Sequence, residues 1–247
     1  MRERYGTIVI VGGGCYGSLY LRQLDRARRA GAIDYARVLA VDRDPACRAA
    51  RLLAGEDGAP LDAPDARVVA SDWSAFFDAF LPDAGDDDAI VPSPLMPHLM
   101  YEWLVRRARA RWPGRRVESR PLERPPAIPW QRAVPDGTHY VSFAEWTCPI
   151  NCIEPARCPA TRGERTWSLP TAVRAYVEEE RSRGRQLAGP AIFHCRHRAY
   201  GVGMFGADEV RAADQLVATA AATGDAEVLV GTVSHCHGAL CVLSVGG

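Results

Sequence analysis

The stretch TIVIVGGGCYGSLYLRQLDRA, Thr7 to Ala27, decides how the first half of the chain folds. An unbroken apolar run, Ile8 to Val11, meets Gly12, Gly14 and Gly17 at G-x-G-x-x-G spacing. Leu19, Leu21 and Leu24 then recur among polar residues. Strand, glycine turn and helix form the setting in which this spacing has a mechanism. Gly12 permits a tight turn, Gly14 lets a pyrophosphate approach the backbone, and Gly17 lets helix and strand pack closely. The helix start offers free N–H groups and a positive dipole end to phosphate. The same dipole favours a thiolate at Cys15; a loop that tolerates a small side chain explains that residue equally well.

Outward from this turn the βα rhythm continues. ARVLAVDRDP reads as a second strand ending at Asp42, and ARVVASDW as a third, followed by the short helix SAFFDAFL. After the acidic PDAGDDD, the run AIVPSPLMPHLMYEWLVRRARA reads as a fourth strand passing into a helix. Alternation of this kind predicts an α/β fold: a doubly wound parallel sheet with right-handed crossovers. Asp42 is placed to accept hydrogen bonds from an adenine ribose, although it would serve as well to cap the next helix. Its carboxylate favours NAD, whereas Arg43 beside it leaves NADP open. His98 reads as a cap or packing residue.

On the glycine triplet, Asp42 and the strand rhythm, residues 5–110 resemble the Rossmann-type NAD(P)-binding domains of dehydrogenases and the related TrkA-N-like nucleotide-binding domains. The resemblance implies a fold and a ligand class, and no particular reaction. S-adenosylmethionine methyltransferases open in a similar way; a full FAD fold needs more chain than remains.

Composition narrows the chemistry. All 30 basic residues are arginine, which excludes lysine Schiff bases and Walker-type phosphate loops. Formal net charge is zero, so no global field recruits nucleic acid. No apolar run approaches the ~20 residues of a membrane span, and the amino terminus lacks a signal-peptide pattern. A soluble, cytoplasmic protein is expected, with a small-molecule substrate or redox partner and a homo-oligomer possible. In that compartment clustered thiols bind metal or do chemistry more often than they form disulfides.

Residues 111–137 carry arginines, tryptophan and proline, and read as a solvated crossing segment between a dinucleotide-binding domain, 1–110, and a Cys/His-rich α/β half, 138–247. That half holds five of the six histidines and six of the eight cysteines. Cys148, Cys152 and Cys158 fall in a loop stiffened by Pro149, Pro155 and Pro159. Their spacing is not the zinc knuckle C-x₂-C, and their Cys-Pro dipeptides are shared with iron–sulfur loops. An iron–sulfur cluster is the first expectation and zinc the second, with Cys195 or Cys236 completing the shell. PAIFHCRHRAYGVGMF reads as one strand, ADEVRAADQLVATAAATGD as a helix, and AEVLVGTVSHCHGALCVLSVGG as a C-terminal β-hairpin turning at His235–Gly238. His235 and His237 are the acid–base candidates. Together these features predict an NAD(P)-linked oxidoreductase with a cysteine-ligated metal. A non-catalytic redox or nucleotide sensor and a methyltransferase are the alternatives.

Overall fold

In a computed structural model, which describes residues 3–59, 61–63 and 65–247, the chain is mixed α/β. In chain order the first elements are β1 (Glu3–Val11), α1 (Cys15–Arg29), β2 (Ile33–Asp42), α2 (Arg48–Leu53), β3 (Ala66–Ala70), α3 (Trp73–Phe80) and β4 (Ala89–Val91). Next come α4 (Leu99–Arg111), β5 (Arg116–Arg120), β6 (Trp130–Ala133) and β7 (His139–Ser142). The last third holds α5 (Leu169–Ser182), β8 (Leu187–His194), β9 (Arg196–Ala199), β10 (Val202–Gly206), α6 (Ala207–Ala220), β11 (Ala226–Val233) and β12 (His237–Gly246).

These elements make two six-stranded sheets, both mixed, where the sequence predicted a single parallel one. The chain divides into two units accordingly. The first comprises the described residues up to Met96 together with Ile150–Ile153 and Arg196–Asp208. Its sheet runs β3-β2-β1-β4-β10-β9. The first four strands are parallel. β10 pairs with β4 and with β9 in antiparallel fashion. Antiparallel pairing enters because the stretch read as one strand breaks at Cys195. Its second part becomes a hairpin, with Tyr200 (φ +47°) and Gly201 (φ +77°) in the left-handed region at the tip. Ile8, Ile10, Leu21, Leu24, Val38 and Val91 lie in the core of this unit, so the apolar run and the helical leucines face each other as their periodicity requires.

The second unit comprises Pro97–Pro149, Glu154–Cys195 and Glu209–Gly247. Its sheet runs β6-β7-β12-β11-β8, with β5 also pairing with β12. The predicted C-terminal hairpin is present: β11 and β12 are antiparallel from Ala226↔Val245 to Val233↔Gly238. β8 runs parallel to β11. The ten-residue β12 pairs with β7 through His237–Leu240 and with β5 through Val242–Gly246. Part of the supposed solvated crossing segment is therefore strand. Leu169, Val173 and Val177 of α5 pack on Leu229, Leu240 and Val242 of the sheet.

Two histidines of this unit give it a pH dependence. Burial lowers the pKa of His98, against a smaller opposing pull from Asp136, and burial also lowers that of His139. His98 faces Cys241, Tyr101 and Tyr140. His139 shares a 2.8 Å hydrogen bond with Gln131 Oε1. A histidine kept neutral by folding contributes stability that is whole above its unfolded pKa of about 6.5 and is lost as pH falls toward the lower folded value. The urea midpoint should therefore fall between pH 7.5 and pH 5, and His98→Asn should flatten that slope. A midpoint constant over this range would refute the assignment.

Candidate functional site

The glycine turn is built as its spacing predicts. Gly12 has φ +88°, and its N–H donates to the carbonyl of Val41 at 2.9 Å. A Cβ on Gly17 would lie 1.9 Å from the carbonyl oxygen of Gly12, whereas one on Gly14 would meet nothing within 4 Å. The turn is thus closed on its inner side and open on its outer side. Helix α1 starts after Gly14 with no side chain capping its first N–H groups. Asp42 ends β2 and braces the turn: Oδ2 accepts from Gly13 N–H at 2.7 Å and Oδ1 from Asp44 N–H at 3.0 Å. Asp42 does not itself cap a helix; the short α2 has Cys47 at its N-cap position. Arg43 is ion-paired with Asp72. Cys15 is exposed, with Nη1 of Arg48 3.7 Å from its sulfur.

In the second unit, His194 ends β8 and Cys195 follows it, while Ser234, His235 and Cys236 follow β11. Because β8 and β11 are parallel neighbours with Val233 opposite His194, both His-Cys pairs emerge at the same carboxyl edge of the sheet. Each strand end is held by a carboxylate. Glu154 Oε1 accepts from His235 N–H at 2.9 Å, and Glu209 Oε2 accepts from His194 N–H at 2.8 Å. The two imidazoles meet edge to face, with centroids 4.9 Å apart. Cys195 is buried beside both carboxylates, and burial first, then their charge, pushes its thiol far above the ordinary range. The indole N–H of Trp167 donates to the Cys236 sulfur at 3.3 Å. Burial raises the Cys236 pKa, and the charges of Glu154 and Cys148 add to that.

The predicted site residues therefore separate. His235, Cys195 and Cys236 meet at the strand ends, with Cys148 close enough to Cys236 to be felt electrostatically. His237 is exposed at the start of β12. Cys152 belongs to the first unit, where its carbonyl accepts from His197 Nδ1 at 3.0 Å. Cys158 is tied into its own loop; the N–H of Thr161 at its sulfur does most to lower its thiol pKa. Among the described residues, no three His, Cys, Asp or Glu side chains stand together as a metal shell. As placed, the five cysteines do not fit a cluster or a zinc ion. Sequence reasoning missed Glu154, Glu209 and Trp167. Glu209 is one acid in the first turn of α6, and Glu154 sits in a loop without periodicity at φ +51°.

The second unit is thus an α/β unit with thiol, imidazole and carboxylate groups gathered at the ends of parallel strands. The chain belongs to the AF_1314_C family, whose description is "Uncharacterized protein, C-terminal domain" and whose model matches residues 100–246. No curated protein and no solved structure matches it. No helix among the described residues is long and apolar enough to cross a membrane.

Proposed function

We propose that the chain is an NAD(P)-linked oxidoreductase whose first unit binds the dinucleotide in a doubly wound, Rossmann-like manner. The topology around β1 carries this reading. With strand order β3-β2-β1-β4, the chain leaves β1 toward β2 on one side and returns from β3 to β4 on the other. Such a reversal opens a crevice at the carboxyl ends of the two central strands, where ligands bind in open α/β sheets. The glycine turn lies at that end of β1. Pyrophosphate would take the uncapped N–H groups of α1 over the open face of Gly14. Asp42 would accept from ribose hydroxyls; each carboxylate oxygen has a second lone pair, so this contact adds to its bonds with Gly13 and Asp44. The nicotinamide supplies the hydride chemistry. Of the two acid–base candidates, His235 is the one held in a packed site, at the strand ends of the second unit.

Calorimetric titration of the purified protein with NAD, NADP and S-adenosylmethionine tests this. One of the dinucleotides should bind. Gly14→Ala should weaken it at least tenfold, about 1.4 kcal/mol, while moving the melting temperature by no more than about 2 °C. Binding of S-adenosylmethionine alone would establish a methyltransferase instead. Dinucleotide binding with no hydride exchange across a broad substrate screen would establish a sensor. Elemental analysis of the same sample reads out iron and zinc directly.

A further inference from the structure

The loop between Glu154 and Trp167 folds back as a miniature antiparallel pair. Arg157 and Glu164 form its bridge. On either side, Arg165 N–H donates to the carbonyl of Ala156 at 2.7 Å, and Cys158 N–H to that of Gly163 at 2.9 Å. Alternation along such a pair puts Ala156, Cys158 and Arg165 on one face, with Cys158 diagonal to Arg165. Trp167, two residues further on, carries the Cys236 sulfur on its indole N–H. Arg165 thus shares a face with Cys158 and stands two residues from the indole that holds the Cys236 sulfur, and its charge reaches both sulfurs.

Arg165 itself is half-buried, and its Nε and Nη1 are covered without any hydrogen-bond partner. No ion pair joins it to a carboxylate among the described residues. A covered guanidinium donor left unpaired is costly, so a loop that keeps two of them is shaped for something it does not itself contain. The planar cation is matched best by a carboxylate or another oxyanion. A bare thiol-binding loop would have no use for it; an anion held there would lie next to sulfur.

We propose that Arg165 binds the carboxylate of a small molecule and holds it beside the thiols of Cys158 and Cys236. This site is separate from the dinucleotide reading and does not depend on it.

The probe is a pair of alkylating agents of nearly equal size, anionic iodoacetate and neutral iodoacetamide. In both reactions a thiolate sulfur forms the new S–C bond and iodide leaves. Labelling is followed residue by residue by peptide mass spectrometry, with N-acetylcysteinamide in the same solution as the reference thiol. Because the agents match in size, burial cancels in the ratio of their rates. At Cys158 or Cys236 the iodoacetate-to-iodoacetamide ratio should exceed that of the reference about tenfold, the effect of one charge-assisted hydrogen bond. Millimolar malonate should slow iodoacetate labelling at the same residue. Arg165→Met should return the ratio to the reference value, and Arg165→Lys should keep part of the gain. A wild-type ratio at or below the reference, labelling of neither cysteine while Cys15 reacts, or an unchanged ratio in Arg165→Met would each overturn the proposal. The wild-type ratio and the malonate competition decide it even if the Met variant fails to fold.

Discussion

Gly17→Ala is expected to cost about 3 kcal/mol or more of stability and to lower the melting temperature of the first unit by roughly 10 °C. The added Cβ would lie 1.9 Å from the carbonyl oxygen of Gly12 and 2.9 Å from its carbonyl carbon. Both are backbone atoms, so no side chain can swing aside. Gly12 cannot retreat either: it is held at φ +88° with its N–H on Val41, and the next residue is tied to Asp42. Relief must come from moving α1 off β1, which opens the core around Ile10 and Leu21. Thermal melts by circular dichroism read this directly. A loss of less than about 3 °C would mean that helix and strand slide apart easily, and that their close approach is not what Gly17 provides. Set against Gly14→Ala, the pair separates architecture from ligand contact within one motif.

Arg185→Met is expected to destabilise the second unit by about 3–5 kcal/mol. Glu180 of α5 is 2% exposed and is held by Arg124 and, at 3.3 Å, by Arg185. Arg185 also reaches Glu227 of β11 at 2.8 Å, so one guanidinium ties helix to sheet. Without it, one deeply buried carboxylate keeps a single cation and the other loses its closest one. Removing one member of a buried ion group strands the rest, which is far costlier than replacing the group whole. The double variant Arg185→Met/Glu180→Leu should therefore recover a large part of the loss. Urea unfolding measures both, and a single-variant loss below about 1 kcal/mol would show that water reaches these carboxylates.

The glycine turn was legible because its residues are chosen by local backbone geometry, which sequence spacing expresses directly. Helices α3 and α6 were legible for the same reason, from periodicity; Asp72, read within the third strand, instead caps α3, its carboxylate accepting from Ser74 N–H at 2.8 Å. Strands β5 and β6 were not. β5 is RVESR, with Val117 its one buried residue, and β6 is WQRA, with none. Strands that bury so little of themselves write almost no apolar pattern, and their pairing is decided by distant partners. The break at Cys195 was hidden in the opposite way. β8, β9 and β10 all carry strand-like residues, and nothing local says that consecutive strands pair in different sheets. The cluster at the ends of β8 and β11 was half legible: enrichment in His and Cys pointed to it, while Glu154 and Glu209 reach it from remote positions. Nearness of Cys148, Cys152 and Cys158 along the loop does not by itself bring three ligands together, and no such group is found among the described residues.

The hairpin β9–β10 has a bearing on how the protein is made. It pairs with β4, which leaves the ribosome more than a hundred residues earlier. Through nearly half of the chain's synthesis, β4 must wait with one edge bare. A fragment beginning at Pro97 would meet the reverse difficulty, carrying a hairpin whose partner strand had been cut away. Expression of the C-terminal segment alone should accordingly yield aggregates, and supplying residues 1–96 as a second polypeptide should rescue its solubility.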